Sequence, residues 1–199
     1  MPRAQLAVAP RARLSTSSVV DAAVALVDQQ GQTALTLAAV AARTGVATPS
    51  LYKHVRNLEA LHQKVSSRVT AELAHTLSTA IAGRSGEEAL RSIAHAYRDY
   101  ARDHPGRYPM TQRVPDAEDP EHLAAADQAV QAVFAALRGY GLHGDEAIDA
   151  TRVVRSALHG FVSLEVDGGF GLPQDVGRSF ERLVSALHVS LRDWAKVAR

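Results

Sequence analysis

The chain has 199 residues, of which 46% are hydrophobic and 22% are charged, and this composition excludes an intrinsically disordered protein. Alanine occurs 36 times while aromatic residues make up only 5%, a mixture that favours close-packed helices over a sheet. Cysteine is absent, which excludes disulfides and thiolate metal sites and is consistent with a cytoplasmic location. No apolar run approaches the ~20 residues of a membrane span, so we expect no membrane partner.

The net charge of +1 conceals an uneven distribution along the chain. Residues 1–65 carry seven basic and three acidic side chains, whereas the remainder carries 15 basic and 18 acidic ones. A basic first third predicts contact with a polyanion, although scattered surface charge can produce the same difference.

Apolar residues recur at helical spacing along most of the chain, and no strand pattern is present. Thr36 and Thr48 are predicted to cap the second and third helices, Pro49 fits a first helical position, and Asn57 is predicted to cap the fourth helix. The prediction is an all-α fold with helices over residues 15–31, 37–44, 48–54, 57–82, 87–103, 121–140, 145–167 and 174–197, and a short helix with an exposed loop within 107–120.

The second and third helices have the spacing of a helix-turn-helix. Ala41 provides the small residue needed where two helices cross closely, and Gly45, four residues later, suits a turn with positive φ. Val46 and Leu51 can then pack between the helices. On spacing alone, an ordinary helical hairpin explains these residues equally well.

The segment Leu37–Leu61, LAAVAARTGVATPSLYKHVRNLEAL, resembles the DNA-binding segment of the tetracycline-repressor (TetR) family of bacterial regulators. The resemblance implies an N-terminal three-helix helix-turn-helix domain over residues 15–62. It also implies a C-terminal helical domain over residues 63–199 that binds a ligand and dimerises. Residues 1–14 are then a basic, flexible arm, in which Arg3, Arg11 and Arg13 either contact DNA or are solvated.

The predicted DNA-binding residues lie on and around the third helix, which enters the major groove in this motif. Tyr52 and His54 resemble family positions that contact phosphate, while Lys53 can reach base edges or phosphate. Packing of Tyr52 in the core and simple solvation of His54 are the alternatives. Arg56 is expected to replace the family's phosphate-binding lysine, because Leu58 stands at that position. The full set is Thr36, Thr48, Pro49, Ser50, Tyr52, Lys53, His54 and Arg56.

A mostly apolar effector cavity is predicted between the helices 87–103, 121–140 and 145–167, with Arg155 or His159 as its polar anchor. The alternatives are that Tyr97 and Phe134 fill the core and that Arg155 and His159 flank a dimer contact. The predicted ligand-binding residues are Tyr97, Tyr100, His104, Met110, Phe134, Arg155 and His159.

The last helix carries a long apolar stripe, and the resemblance implies that the last two helices form a four-helix bundle with a second subunit. The predicted dimer interface is Phe180, Leu183, Leu187 and Leu191.

Neither an HExxH motif nor a nucleophile elbow occurs, so the sequence indicates no enzyme, cofactor or metal site. The expected function is a cytoplasmic, homodimeric repressor that binds operator DNA and is released by a small-molecule effector. An activator, an effector-independent regulator and a helical binding module that does not bind DNA are the alternatives.

Overall fold

The computed structural model describes residues 14–197, and every regular element in that range is a helix, which confirms the all-α prediction. Arg3, Arg11 and Arg13 of the predicted arm lie outside the described residues. Within the described part of the chain, no helix is both long and apolar enough to cross a membrane. The helices are α1 (Thr16–Gln30), α2 (Leu37–Thr44), α3 (Thr48–Leu51), α4 (Leu58–Ala80), α5 (Gly86–Asp103), α6 (Pro120–Arg138), α7 (Gly144–Val166), α8 (Val176–Arg192) and α9 (Trp194–Val197), with 3-10 turns at Gln32–Ala34 and Tyr108–Gln112.

Side-chain caps fix the starts of the N-terminal helices. The Thr36 hydroxyl accepts a hydrogen bond from the Ala39 N–H at 3.1 Å, and the Asn57 side chain accepts one from the Ala60 N–H at 2.8 Å. These two predicted caps are confirmed. The predicted cap of α3 is wrong, because Thr48 is the first residue inside that helix and Ala47 precedes it without a side-chain cap.

The turn between α2 and α3 depends on a left-handed glycine. Gly45 has φ 70° and ψ 29°, a conformation that a residue with a Cβ adopts only with strain. The Val46 N–H donates to the Ala41 carbonyl at 3.1 Å and closes the end of α2. The predicted helix-turn-helix geometry is therefore present.

Two hydrophobic cores meet along the long helix α4. Leu61, Val65 and Val69 pack with α1, α2 and α3 in the first core, whereas Leu73 and Leu77 pack with α5 to α8 in the second. The cores therefore divide between Val69 and Leu73, further along the chain than the domain boundary predicted after residue 62. Because one rigid helix belongs to both cores, a shift of α4 changes the packing of both cores.

The predicted last helix is interrupted, because α8 ends at Arg192 and α9 begins at Trp194. Asp193 stands between them, and its carboxylate accepts hydrogen bonds from the Arg192 and Lys196 side chains at 2.9 and 2.7 Å. These local bonds stabilise the turn.

The predicted dimer stripe on α8 requires correction. Phe180, Leu187 and Leu191 are 0%, 6% and 1% exposed in the single chain, because they pack against the subunit's own helices. A second subunit can gain almost no contact area from them. Of the four predicted residues, only Leu183 is half-buried. An amphipathic helix has one strongly apolar face, and α8 uses that face for its own core.

Candidate DNA-binding surface and ligand cavity

The helix-turn-helix presents a polar surface around a buried anchor. Leu51 and Val55 are buried in the first core, and this fixes the orientation of α3. Between them, Lys53 is exposed and Tyr52 is 55% exposed, which excludes packing of Tyr52 in the core. All eight predicted DNA-binding residues are at least partly exposed, and their contact with DNA stays a prediction.

A groove of about 550 Å³ separates this surface from the loop before α6. The side formed by the turn after α3 and by α4 carries basic or imidazole side chains together with the acidic Glu59, and the side formed by the loop and the start of α6 is acidic. The basic or imidazole residues are His54, Arg56 and Lys64, and the acidic residues opposite them are Asp116, Glu118, Asp119 and Glu121. The acidic loop lowers the positive potential beside α3. Sequence reasoning missed this loop because its charges lie about 60 residues from the basic ones along the chain and only the fold brings them together.

Residues 106–112, which lead into and form the second 3-10 turn, dock onto α1 and α4. The Arg107 guanidinium pairs with Asp28 of α1 and with Glu72 of α4, the latter at 2.6 Å. Gly106 lies against the backbone of Val27, where a Cβ would clash with the Val27 carbonyl. These contacts hold the body of the protein against α1.

Met110 belongs to this docking contact rather than to a ligand site. Its side chain is fully buried in the first core, and its carbonyl accepts a hydrogen bond from the Ser66 hydroxyl at 2.6 Å. Met110 was predicted to bind the ligand, but it does not line the cavity. The sequence shows that Met110 is apolar, but only the fold determines which of the two cores it joins.

A cavity of about 140 Å³ lies between α4, α5, α6, α7 and the 3-10 turn. It lies among the helices named in the prediction, with α4 as an additional wall, and its binding of an effector stays a prediction. Tyr97 and Arg155 are the predicted ligand-binding residues that line it. The complete lining is Leu73, Leu77, Ile93, Tyr97, Thr111, Gln112, Ala126, Ala129, Val130, Val133, Thr151, Val154, Arg155 and Leu158.

Four more predicted ligand-binding residues lie outside the cavity lining: Tyr100, His104, Phe134 and His159. Tyr100 is buried and donates to the Val69 carbonyl at 3.1 Å, while His104 packs edge-on against the Tyr100 ring. Phe134 packs against the second core, as the core-filling alternative predicts. Helical spacing placed these residues on the correct helices but could not determine which of them border a void.

A chain of hydrogen bonds runs from the cavity into the core. Arg155 donates to the Gln112 amide oxygen at 3.1 Å, the Gln112 amide lies 3.5 Å from the Tyr97 hydroxyl, and the Tyr97 and Tyr108 hydroxyls are 2.8 Å apart. Tyr108 also bonds His159 Nδ1 at 2.7 Å. Burial raises the pKa of Tyr97, and burial together with the Arg155 charge lowers the pKa of His159. Both groups are therefore neutral near pH 7.

Sequence reasoning missed the polar cavity residues Thr111, Gln112 and Thr151. Thr151 lies four residues before Arg155 and thus on the same face of α7, which is the signal that could have identified it. Its hydroxyl is shielded from solvent, and no residue of the described chain forms a hydrogen bond with it. Among residues 14–197, no group of three or more His, Asp or Glu side chains is arranged to hold a metal ion.

Comparison with known proteins agrees with this architecture. Residues 19–65 match the family of bacterial regulatory proteins, tetR family, and residues 90–187 match the tetracyclin repressor-like C-terminal domain. The HTH-type transcriptional regulator Rv0681 of Mycobacterium tuberculosis is 42% identical over 167 residues, which cover 83% of this chain and 77% of that protein.

Two further comparisons concern a repressor and a solved structure. The class D tetracycline repressor protein of Escherichia coli is 36% identical over 114 residues, which cover 54% of this chain and 52% of that protein. The structure of SCO7222, a TetR regulator from Streptomyces coelicolor, aligns with a TM-score of 0.69 over 90% of this chain and 98% of its own, at 18% identity. The latter similarity establishes the fold alone.

Proposed function

The chain belongs to the TetR family of transcriptional regulators, and from this premise we propose that it is a homodimeric repressor released from operator DNA by a small molecule in the α4–α7 cavity. We infer that its function is DNA binding and not enzymatic catalysis, and that it is located in the cytoplasm with the DNA that it binds.

The exposed surface of α3 is the observation that carries the proposal. Tyr52 and Lys53 are exposed in the turn that directly follows α3, and buried Leu51 anchors the end of that helix. A row of short and polar side chains along and just after α3 is therefore free to face a DNA groove. The N-terminal end of such a helix contacts base edges, while flanking hydroxyl, imidazole and guanidinium groups contact phosphates. Repression, rather than activation, is proposed from the similarity to tetracycline repressor proteins.

Residues 106–113 support control of DNA binding by the cavity. Gln112 lines the cavity, while Arg107 pairs with α1 and Met110 lies in the first core. Arg113 also pairs with Glu59 in the first turn of α4, and this hydrogen-bonded contact lowers the pKa of Glu59. A ligand that displaces Gln112 therefore acts on a short segment that touches α1, α4 and the first core.

Dimerisation is proposed through the exposed faces of α7 and α8. Val153, Gly160 and Leu164 recur at helical spacing on α7, and Ala186 and Val189 do so on α8. All five are exposed in the single chain, unlike the apolar stripe predicted from the sequence. Exposed apolar side chains on two adjacent helices are a typical protein–protein contact.

Selection of genomic DNA fragments by the purified protein tests the proposal. We expect one or a few sites with two related half-sites, whose binding weakens steeply as salt rises. Binding without sequence preference, or no binding, would contradict the proposed regulator. Transcription from a promoter that contains the selected site then distinguishes repression from activation.

A further inference from the structure

The chemistry of the α4–α7 cavity identifies the class of molecule that fits it. This inference rests on the proposed function, because it concerns the effector of the same regulator. The cavity of about 140 Å³ has an apolar wall that includes Leu73, Ile93 and Val130 and a short polar rim on α7 and the 3-10 turn. Each part restricts the ligand in a different way.

The apolar wall sets the size of the ligand. A cavity of about 150 Å³ lined by aliphatic side chains accommodates one benzene molecule. The alanines of α6, Ala126 and Ala129, leave space beside Leu73 and Leu77 of α4. The cavity therefore suits an apolar body about the size of a benzene ring.

The polar rim sets the charge of the ligand. Arg155 is exposed and lines the cavity, so it stands at the cavity mouth. One of its N–H groups donates to Gln112, and within residues 14–197 no carboxylate lies within ion-pair distance of its guanidinium. No acidic residue lines the cavity either. The rim therefore carries an uncompensated positive charge.

A second donor accompanies this charge. The Thr151 hydroxyl lies on the same helical face and has no hydrogen-bond partner in the described chain, although it is shielded from solvent. Buried hydroxyls normally form hydrogen bonds, and the Thr151 O–H is free to donate to a ligand that accepts one. A guanidinium with free N–H groups matches a carboxylate, which it can bind through two parallel hydrogen bonds.

We propose that the effector is a small monocarboxylate with one apolar body about the size of a benzene ring. Its carboxylate binds Arg155 and Thr151 at the mouth, and its apolar body lies among the side chains of α4, α5 and α6. A cationic ligand is disfavoured by the positive rim.

Isothermal titration calorimetry of the full-length protein with benzoate and with benzamide tests the proposal. Benzamide has the same shape but no charge. We expect benzoate to bind about tenfold more tightly than benzamide, as a charge-assisted hydrogen bond predicts. Hexanoate, a carboxylate with an aliphatic body of similar size, tests whether an aliphatic chain can take the place of the ring. Equal affinity for benzoate and benzamide would overturn the proposal.

Two arginine variants on α7 locate the carboxylate. Arg155→Gln is expected to remove the preference for benzoate, while Arg152→Gln is expected to retain it. Arg152 is the matched control because it is exposed on the same helix, pairs with Asp149 at 3.2 Å and does not line the cavity. Benzoate affinity that is unchanged in Arg155→Gln, with both variants melting like the original protein, would also overturn the proposal.

DNA binding and ligand binding are measured separately, because each result tests a different proposal. A protein that selects operator DNA but binds neither benzoate nor hexanoate at up to about 10 mM would overturn the monocarboxylate and leave the proposed repressor standing. A protein that binds benzoate through Arg155 but selects no DNA would overturn the proposed regulator instead.

Discussion

Tyr52 and Lys53 are neighbours on the DNA-binding surface, yet different roles are predicted for them. Tyr52→Phe removes only a hydroxyl proposed to bind phosphate, so we expect weaker binding to all DNA sequences by a similar factor. Lys53→Ala removes a candidate base contact worth about 1–3 kcal/mol of discrimination, so we expect the preferred sequence to change.

Binding-site selection with each variant distinguishes these roles. The Tyr52→Phe variant should select the same sequence as the original protein, with lower affinity. An unchanged preference in Lys53→Ala would assign Lys53 to phosphate or solvent, and a changed preference in Tyr52→Phe would show that Tyr52 contacts bases.

Gly106 is a second residue whose identity the fold constrains. A Cβ at this position would overlap the Val27 carbonyl in α1, so Gly106→Ala forces the docked segment away from α1. We expect this variant to lower the free energy of unfolding by about 1–3 kcal/mol, measured by urea denaturation. Gly171→Ala is the control, because a Cβ there meets open space, and it should change stability little. Equal effects of the two substitutions would contradict the docking role.

The sequence predicts elements well where the determining interactions are local. The Thr36 and Asn57 caps and the Gly45 turn each depend on neighbours within a few residues, so the ends of α2 and the start of α4 were predictable. The break at Asp193 is also local, but the apolar spacing of Leu187, Leu191 and Trp194 continues across it and does not reveal it.

The neighbours against which an apolar face packs depend on how the helices assemble, so they were not predictable from the sequence. The spacing of Leu187 along α8 predicted an interface residue. It is buried in the core instead, because α8 packs against α5 and α7. Similarly, Tyr97 borders the cavity while Tyr100, one turn later in α5, donates to α4. Residues three positions apart in one helix therefore lie at the cavity wall and at the contact with α4, and the sequence alone does not show which residue has which neighbours.

The exposed face of α7 is part of the proposed dimer contact. Leu164 is 51% exposed, and Leu164→Asp should weaken dimerisation because it places a charge in the proposed apolar contact. Because two half-sites are bound together, DNA affinity should fall with it. Sedimentation at micromolar concentration provides the measurement.

Leu123→Asp is the matched control for the dimer contact. Leu123 is 43% exposed but lies on α6, away from the proposed interface, so this variant should remain dimeric. Loss of dimers in both variants would indicate general destabilisation, and dimers that persist in Leu164→Asp would place the interface elsewhere.

The whole molecule should lose stability in mild acid because several imidazoles are held neutral. Burial lowers the pKa of His62, His122 and His159 below the ordinary value of 6.5. The unfolded chain then binds more protons than the folded one as the pH falls below about 6.5, so the free energy of unfolding decreases through that range and is steady above it.

Urea denaturation at pH 7.5 and pH 5.5 measures this loss. His122 is buried near Ser66 and Thr70, and His122→Gln should reduce the difference between the two pH values. His75 is exposed, so His75→Gln is the control and should leave the difference unchanged. Stability that is independent of pH between these values would contradict the prediction.

The docking of Arg107 limits how this protein can be recombined with its relatives. Replacing residues 15–62 by another regulator's segment would remove Asp28 and Val27 but keep Arg107, a largely buried cation that would then retain only Glu72. A buried charge that loses a partner costs several kcal/mol. A chimeric biosensor that grafts a new operator preference onto this cavity must therefore transplant only the exposed side of α3, or preserve an aspartate at position 28 along with the graft.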